Sequence, residues 1–96
     1  MQTFDQLDPL LHSQLRLAVM SVLITRKKVD FTELQKLTKS TAGNLSVQIN
    51  KLKDAGYVSV AKQFRGNYPQ TTCLLNKKGL LAFEKYVHSL KTYLDL

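Results

Sequence analysis

From about Pro9 to Thr25, Leu11, Leu15, Ala18, Val19, Val22 and Leu23 recur three and four residues apart, the spacing that places side chains on one face of an α-helix. That helix starts either at Pro9, with Asp8 as its cap, or after Ser13. The run Thr25-Arg26-Lys27-Lys28 closes it, with cations where the carboxyl end of the helix dipole favours them. Val29-Asp30-Phe31 follows as a short extended piece. Thr32-Glu33-Leu34-Gln35 then has the form of a capping box, in which Thr32 and Gln35 satisfy each other's backbone donors. It opens a short helix that carries Leu34 and Leu37 and ends around Thr38-Lys39. A third helix begins near Ser40 or Thr41 and stops at Ala55-Gly56, with Gly56 suited to the C-cap. Leu45, Ile49 and Leu52 lie within about 60° of each other on its wheel. Ser40, Gly43, Asn44, Val47, Asn50 and Lys51 fall broadly opposite, on a face nearly free of acid until Asp54.

The pattern then changes from helical to alternating. Tyr57 to Phe64 is rich in β-branched and aromatic residues and reads as a strand; Arg65-Gly66-Asn67-Tyr68-Pro69 is a turn, and Gln70 to Leu75 returns. Asn76 is placed to cap a last helix from Lys77 to about residue 95, along which Leu80, Phe83, Val87, Leu90 and Leu94 are spaced three, four, three, four. That seam serves either as core packing or as a dimer contact, for which the apolar residues near Leu7 and Leu10 are further candidates. The predicted class is mainly α with a small β-hairpin (α+β), in the order α-(β)-α-α-β-β-α. A helix-turn-helix is expected at about 32–55, the hairpin at about 57–75 and the last helix at about 77–95.

Composition narrows the possibilities. A chain of 96 residues with 44% hydrophobic and 22% charged residues has apolar material for one core, so residues 1–96 are expected to form a single domain. Arg16, Ser21 and Thr25 interrupt the longest apolar stretches, well short of a spanning helix, and Met1 to Asp8 lacks the form of a secretory signal. A cytoplasmic location is the default expectation. The single cysteine, Cys73, reads as a small strand residue, with a redox-sensing thiol as the alternative. Neither metal-ligand spacing nor a nucleophile motif is visible, and His12 and His88 have no carboxylate at i+3 or i+4. No metal, no other cofactor and no catalytic residue is therefore expected; His12 reads as a helix-start or core-edge residue and His88 as a surface or interface one. Fourteen basic against seven acidic residues give a formal charge of +7, which favours an anionic partner such as nucleic acid.

The order of elements makes that partner more specific. Two short helices joined by a tight turn form a helix-turn-helix, whose second helix is free to enter the major groove of DNA. Asn44 and Gln48 carry amides that pair with base edges, Lys51 reaches guanine acceptors or phosphate, and Ser40 and Thr41 stand where backbone N–H groups hold a phosphate. Gly43 costs roughly 0.5–1 kcal/mol relative to Ala inside a helix, which calls either for close helix packing or for approach of the backbone to DNA. The hairpin tip, with Lys62, Arg65, Asn67 and Tyr68, is either a solvated turn or a wing at the minor groove and its phosphates. The expected DNA-contacting set is Ser40, Thr41, Gly43, Asn44, Val47, Gln48, Lys51, Lys62, Arg65, Asn67 and Tyr68. A protein-interaction domain with solvated basic faces is the alternative reading.

The string from Leu45 through Ile49, Leu52, Asp54 and Gly56 to Val58 resembles the recognition-helix-to-wing passage of MarR-like and ArsR-like winged helix regulators. Phe64 to Thr72, then Leu75-Asn76-Lys77-Lys78-Gly79, is similar to small MarR-related members in which one short domain is nearly the whole protein. The resemblance covers about Asp8 to Leu94. It implies a homodimer joined through its terminal helices at Leu80, Phe83, Val87, Leu90 and Leu94, bound to a pseudo-palindromic DNA operator and regulating transcription. The paired cysteine ligands of metal-sensing ArsR-like members and the longer terminal helices that frame a ligand pocket in MarR-like members are both missing, so no effector is implied.

Overall fold

In the computed structural model, which describes residues 3–94, α1 (Gln14–Arg26) runs through the centre of the molecule and buries Val19, Met20 and Leu23. Asp8 does not cap it. The Asp8 carboxylate accepts from the Leu10 N–H at 2.9 Å and its carbonyl from the His12 N–H at 2.9 Å, which makes a separate leading turn that ends at Ser13. The later of the two expected starts is therefore the observed one, with Ser13 in extended backbone as the residue before the helix.

The short extended piece becomes a true strand, β1 (Lys28–Asp30), and α2 (Phe31–Thr38) begins one residue earlier than the capping-box reading placed it. Asp30 occupies the cap position, but its side chain is drawn to the sheet, accepting from Gln70 Nε2 at 2.7 Å and Thr72 Oγ1 at 3.3 Å. The reciprocal Thr32–Gln35 box is thus corrected. Pairing of β1 with the sheet sets the helix start, and Thr32 falls inside the first turn.

Helix α3 (Ala42–Asp54) follows the expected pattern closely: Thr41 Oγ1 caps it by accepting from the Asn44 N–H at 3.2 Å, and Leu45, Ile49 and Leu52 are buried. After Ala55, Gly56 takes φ +81° while the Tyr57 N–H returns to the Leu52 carbonyl at 3.0 Å, the left-handed termination that a glycine makes without strain.

Strands β2 (Val58–Arg65) and β3 (Tyr68–Leu75) pair antiparallel from Val58↔Leu75 to Arg65↔Tyr68, and β1 adds to the other side of β3 through Val29↔Cys73. The sheet therefore has three strands in the order β1-β3-β2 rather than a hairpin alone. The turn is also tighter than the sequence suggested. Only Gly66 and Asn67 lie between the strands, and Gly66 at φ +66° supplies the positive angle that such a loop needs. Pro69 fits inside β3 because β1 pairs with residues 72–74 only and leaves that end of β3 without a second neighbour.

Helix α4 (Lys77–Leu94) leaves the sheet after Asn76; its expected end near residue 95 lies outside the described residues. The Asn76 side chain bonds Ser59 Oγ at 2.8 Å and the Gly56 carbonyl at 3.2 Å rather than capping the helix amides, and its main-chain carbonyl accepts the Leu80 N–H. One core joins all these elements, from Leu11, Met20 and Leu23 through Leu34, Leu45 and Leu52 to Val58, Cys73 and Tyr86. Each fully buried leucine contributes about 1.5–3 kcal/mol by leaving water. The envelope is elongated, 60 × 25 × 21 Å, and α4 at about 27 Å is too long for either short dimension.

Candidate nucleic-acid interface

Burial of Leu45, Ile49 and Leu52 turns the rest of α3 outward, so Gly43, Asn44, Val47, Asn50 and Lys51 are exposed along one ridge. Val47 keeps 51% of its surface accessible, an apolar side chain among polar ones. A Cβ built on Gly43 would meet nothing within 4 Å. Close helix packing, one of the two reasons offered for this glycine, is therefore ruled out.

The polar groups at the start of the helix differ in what they have left to offer. Thr38 Oγ1 donates to the Leu34 carbonyl at 2.7 Å, so the 2.8 Å contact with Ser40 Oγ uses the Ser40 proton. The Ser40 hydroxyl retains acceptor capacity only. Thr41 Oγ1 accepts from Asn44 and keeps its own proton for a ligand. Gln48 is half-buried: its Oε1 accepts from a guanidinium N–H of Arg16 on α1, and its Nε2 donates to Asn44 Oδ1 at 3.1 Å. Lys51 and Lys53 project from the last turns of the helix, both exposed.

The hairpin divides into two faces by strand alternation. Val58, Val60, Lys62 and Phe64 share a face with their partners Leu75, Cys73, Thr71 and Pro69. Near the base this face is core. Further out it lines a cleft with Ser46 and Asn50 of α3, to which Val60, Lys62 and Thr71 contribute, so Lys62 belongs to the same surface as the outer ridge of α3. Arg65 and Tyr68 are a cross-strand pair on the opposite face, and Asn67 lies in the turn between them. All the expected wing residues are exposed, Tyr68 at 78%.

Two residues outside the expected set belong to this surface. Phe64 is 78% exposed at the tip, on the face that carries Lys62. Alternation from the buried Val58 would have placed it there, once the strand was allowed to run to Arg65. Arg16 is the other, and its signal was a lone cation interrupting an apolar helix. The bond that matters, to Gln48, spans 32 residues of sequence and could not be read from spacing.

The α4 seam is split by the fold. Phe83 and Leu90 pack against the core, whereas Val87 and Leu94 are exposed and Leu80 is intermediate. Leu81 and Tyr93, outside the seam, are exposed as well. Leu7 and Leu10 pack against the molecule's own core. His88 is exposed, and His12 precedes α1 with its Nδ1 hydrogen-bonded to Tyr86 Oη at 3.0 Å. Cys73 is fully buried in β3, and burial pushes its thiol up to about 11, which disfavours the reactive thiolate. Among the described residues no helix is long and apolar enough to cross a membrane.

Comparison with known proteins places this geometry in a family. The profile of the winged helix DNA-binding domain matches residues 15–94. An uncharacterized protein of Methanocaldococcus jannaschii is 25% identical over 79 residues, 82% of this chain and 86% of that one. A transcriptional regulator homologue from Pyrococcus horikoshii OT3, of known structure, is 30% identical and superposes with a TM-score of 0.84 over 90% of this chain and 85% of its own. An ArsR family transcriptional regulator, 23% identical, has the same fold with a TM-score of 0.63 over 90% of this chain and 84% of its own. The order of elements is that of a winged helix, the match spans most of the chain, and the chain belongs to the winged helix DNA-binding domain family.

Proposed function

We propose that this protein binds double-stranded DNA sequence-specifically, as a dimeric transcriptional repressor that occupies its operator. The observation that carries this reading is one continuous surface, formed by the outer ridge of α3, free of acid before Asp54, and by Lys62 across the Ser46–Asn50 cleft. With α3 in the major groove, Thr41 and the first-turn N–H groups meet a phosphate, and Asn44, Gln48 and Lys51 stand over base edges. Val47 is suited to a thymine methyl group, and the open side of Gly43 lets the backbone approach the duplex. The tip residues Arg65, Asn67 and Tyr68 reach the neighbouring minor groove or its phosphates. The charge of +7 supports the same partner by steering encounter.

Helix α4 supplies the dimer contact in this reading. Val87, Leu94 and Leu80 form its open edge, and Phe83 and Leu90 join that edge to the core. Two copies related by a twofold axis read the halves of a pseudo-palindromic operator, centred about 34 Å apart. Selection of bound fragments from the source genome is expected to return one duplex with inverted symmetry, and sedimentation at micromolar concentration a dimer. Binding weakens with salt at a log–log slope of about −0.9 per neutralised phosphate, and Lys51→Ala reduces that slope by about one. Absence of binding to any duplex at low salt would sink the proposal.

A further inference from the structure

The amides of α3 have a fixed direction. Arg16 Nε donates to the Leu10 carbonyl at 2.6 Å, which anchors the guanidinium, and another of its N–H groups meets the Gln48 side chain. A guanidinium has no acceptor, so the Gln48 atom turned towards it is Oε1. The opposite flip would set N–H against N–H. Gln48 Nε2 therefore faces Asn44, and the same logic makes the Asn44 atom that receives it Oδ1, at 3.1 Å. Each amide oxygen thus accepts one N–H from the protein, and Asn44 Nδ2 is left with no protein partner among the described residues.

The ridge from residue 44 to residue 51 thus offers donors: Asn44 Nδ2, the second N–H of Gln48 and the Lys51 ammonium. In the major groove guanine presents two acceptors, N7 and O6, whereas adenine presents one acceptor and one donor. Bidentate pairing of an Asn or Gln with adenine needs the amide oxygen to accept from N6, and here each of those oxygens is already oriented onto a protein donor. We infer that Arg16 is a specificity-determining positioning residue, which by holding Gln48 and through it Asn44 makes α3 a donor surface selective for guanine edges over adenine. The inference rests on the proposed placement of α3 in the major groove, and it deepens that proposal by naming the base class.

Selection from a randomised duplex library at one fixed salt concentration tests it. The wild-type protein enriches guanine at the base pairs under Asn44 and Gln48. Arg16→Met, which keeps the stem and removes the donor, frees both amides to flip and lowers guanine-over-adenine discrimination roughly tenfold. Its salt slope changes by no more than about one, the loss of a single charge. Gln48→Glu gives an independent readout if Arg16→Met folds poorly. A carboxylate only accepts, so Asn44 turns its N–H₂ inward and its oxygen outward, and preference moves from guanine to bases with an exocyclic amine. Adenine enriched by the wild type, or guanine preference unchanged in a folded Arg16→Met and in Gln48→Glu, overturns the inference and leaves DNA binding standing. Selection without base preference at these positions also overturns it. Failure to bind any duplex removes the parent proposal with it.

Discussion

Helices α3 and α4 are both amphipathic, yet α3 buries all three of its inner leucine and isoleucine residues while α4 leaves much of its apolar surface open. The inner face of α3 is Leu45, Ile49 and Leu52, and its outer face is polar except for Val47. The inner face of α4 contains Gly79, Tyr86 and Ser89, while Leu81, Val87 and Leu94 stay exposed. A helix that spends its large apolar side chains on the core is held by burial and leaves polar groups for a polar partner. Helix α4 rests Phe83, Tyr86 and Leu90 on the core and adds close approach and hydrogen bonds to that burial. Gly79 lies against the Tyr57 carbonyl, the Tyr86 hydroxyl meets His12, and Tyr93 Oη donates to the Asp5 carbonyl at 2.6 Å. Its unspent apolar surface is what a second protein surface would cover.

The largest expected effect separates the two modes directly. Leu52→Ala removes a fully buried side chain and is expected to cost about 2–5 kcal/mol in urea unfolding, whereas Val87→Ala is expected to stay within about 0.5 kcal/mol at concentrations where the protein is monomeric. Equal losses would erase the contrast. Next comes the close approach that anchors α4. A Cβ at residue 79 would lie 2.2 Å from the Tyr57 carbonyl oxygen, a backbone atom with little room to yield. Gly79→Ala is therefore expected to lose about 1–3 kcal/mol, although alanine favours helices, and a stabilised variant would show that α4 is not anchored there.

The smallest effect concerns the pin beneath that anchor. The Tyr57 hydroxyl donates to Asp8 Oδ2 at 2.5 Å; burial, then the hydrogen bond to Asp8 and its charge, push the phenol up from 10.0 to about 12. The folded value lies above the unfolded one, so this contribution is complete below about pH 10 and is lost as pH rises towards 12. Tyr57→Phe should be less stable than the wild type by about 1 kcal/mol at pH 7, a gap that narrows above pH 10. Denaturant midpoints at pH 7 and pH 11 measure it. A gap independent of pH would mean that the hydroxyl contributes nothing through its proton.

Helix α3 was legible because its pattern is local. The three-and-four spacing of Leu45, Ile49 and Leu52, a capping threonine and a terminating glycine all lie within 16 residues and agree with one another. The capping-box reading of Thr32 failed because the deciding contact is remote: Asp30 bonds Gln70 and Thr72 across the sheet. The α4 seam had the right period, but its spacing could not say which members face the core, Phe83 and Leu90, and which stay exposed, Val87 and Leu94. Periodicity shows that one side of a helix is apolar; Gly79 and Tyr86 decide how the helix is turned, and they look unremarkable in the sequence. The outward face of α3 was legible as a set of exposed residues, whereas the direction of its amides depends on Arg16, 32 residues away in sequence.

The contact between Gly79 and Tyr57 has a consequence at a larger scale. It packs the root of α4 against the base of the hairpin, where Asn76 also ties Ser59 to Gly56, so a change of angle between helix and wing would have to break these contacts. In the dimer proposed above, with two copies meeting along α4, that angle would set the span between their α3 helices as the joint of a caliper sets its jaws. Insertion of a few base pairs between half-sites would then have to be met by twisting the DNA or by breaking the contacts at Gly79 and Asn76.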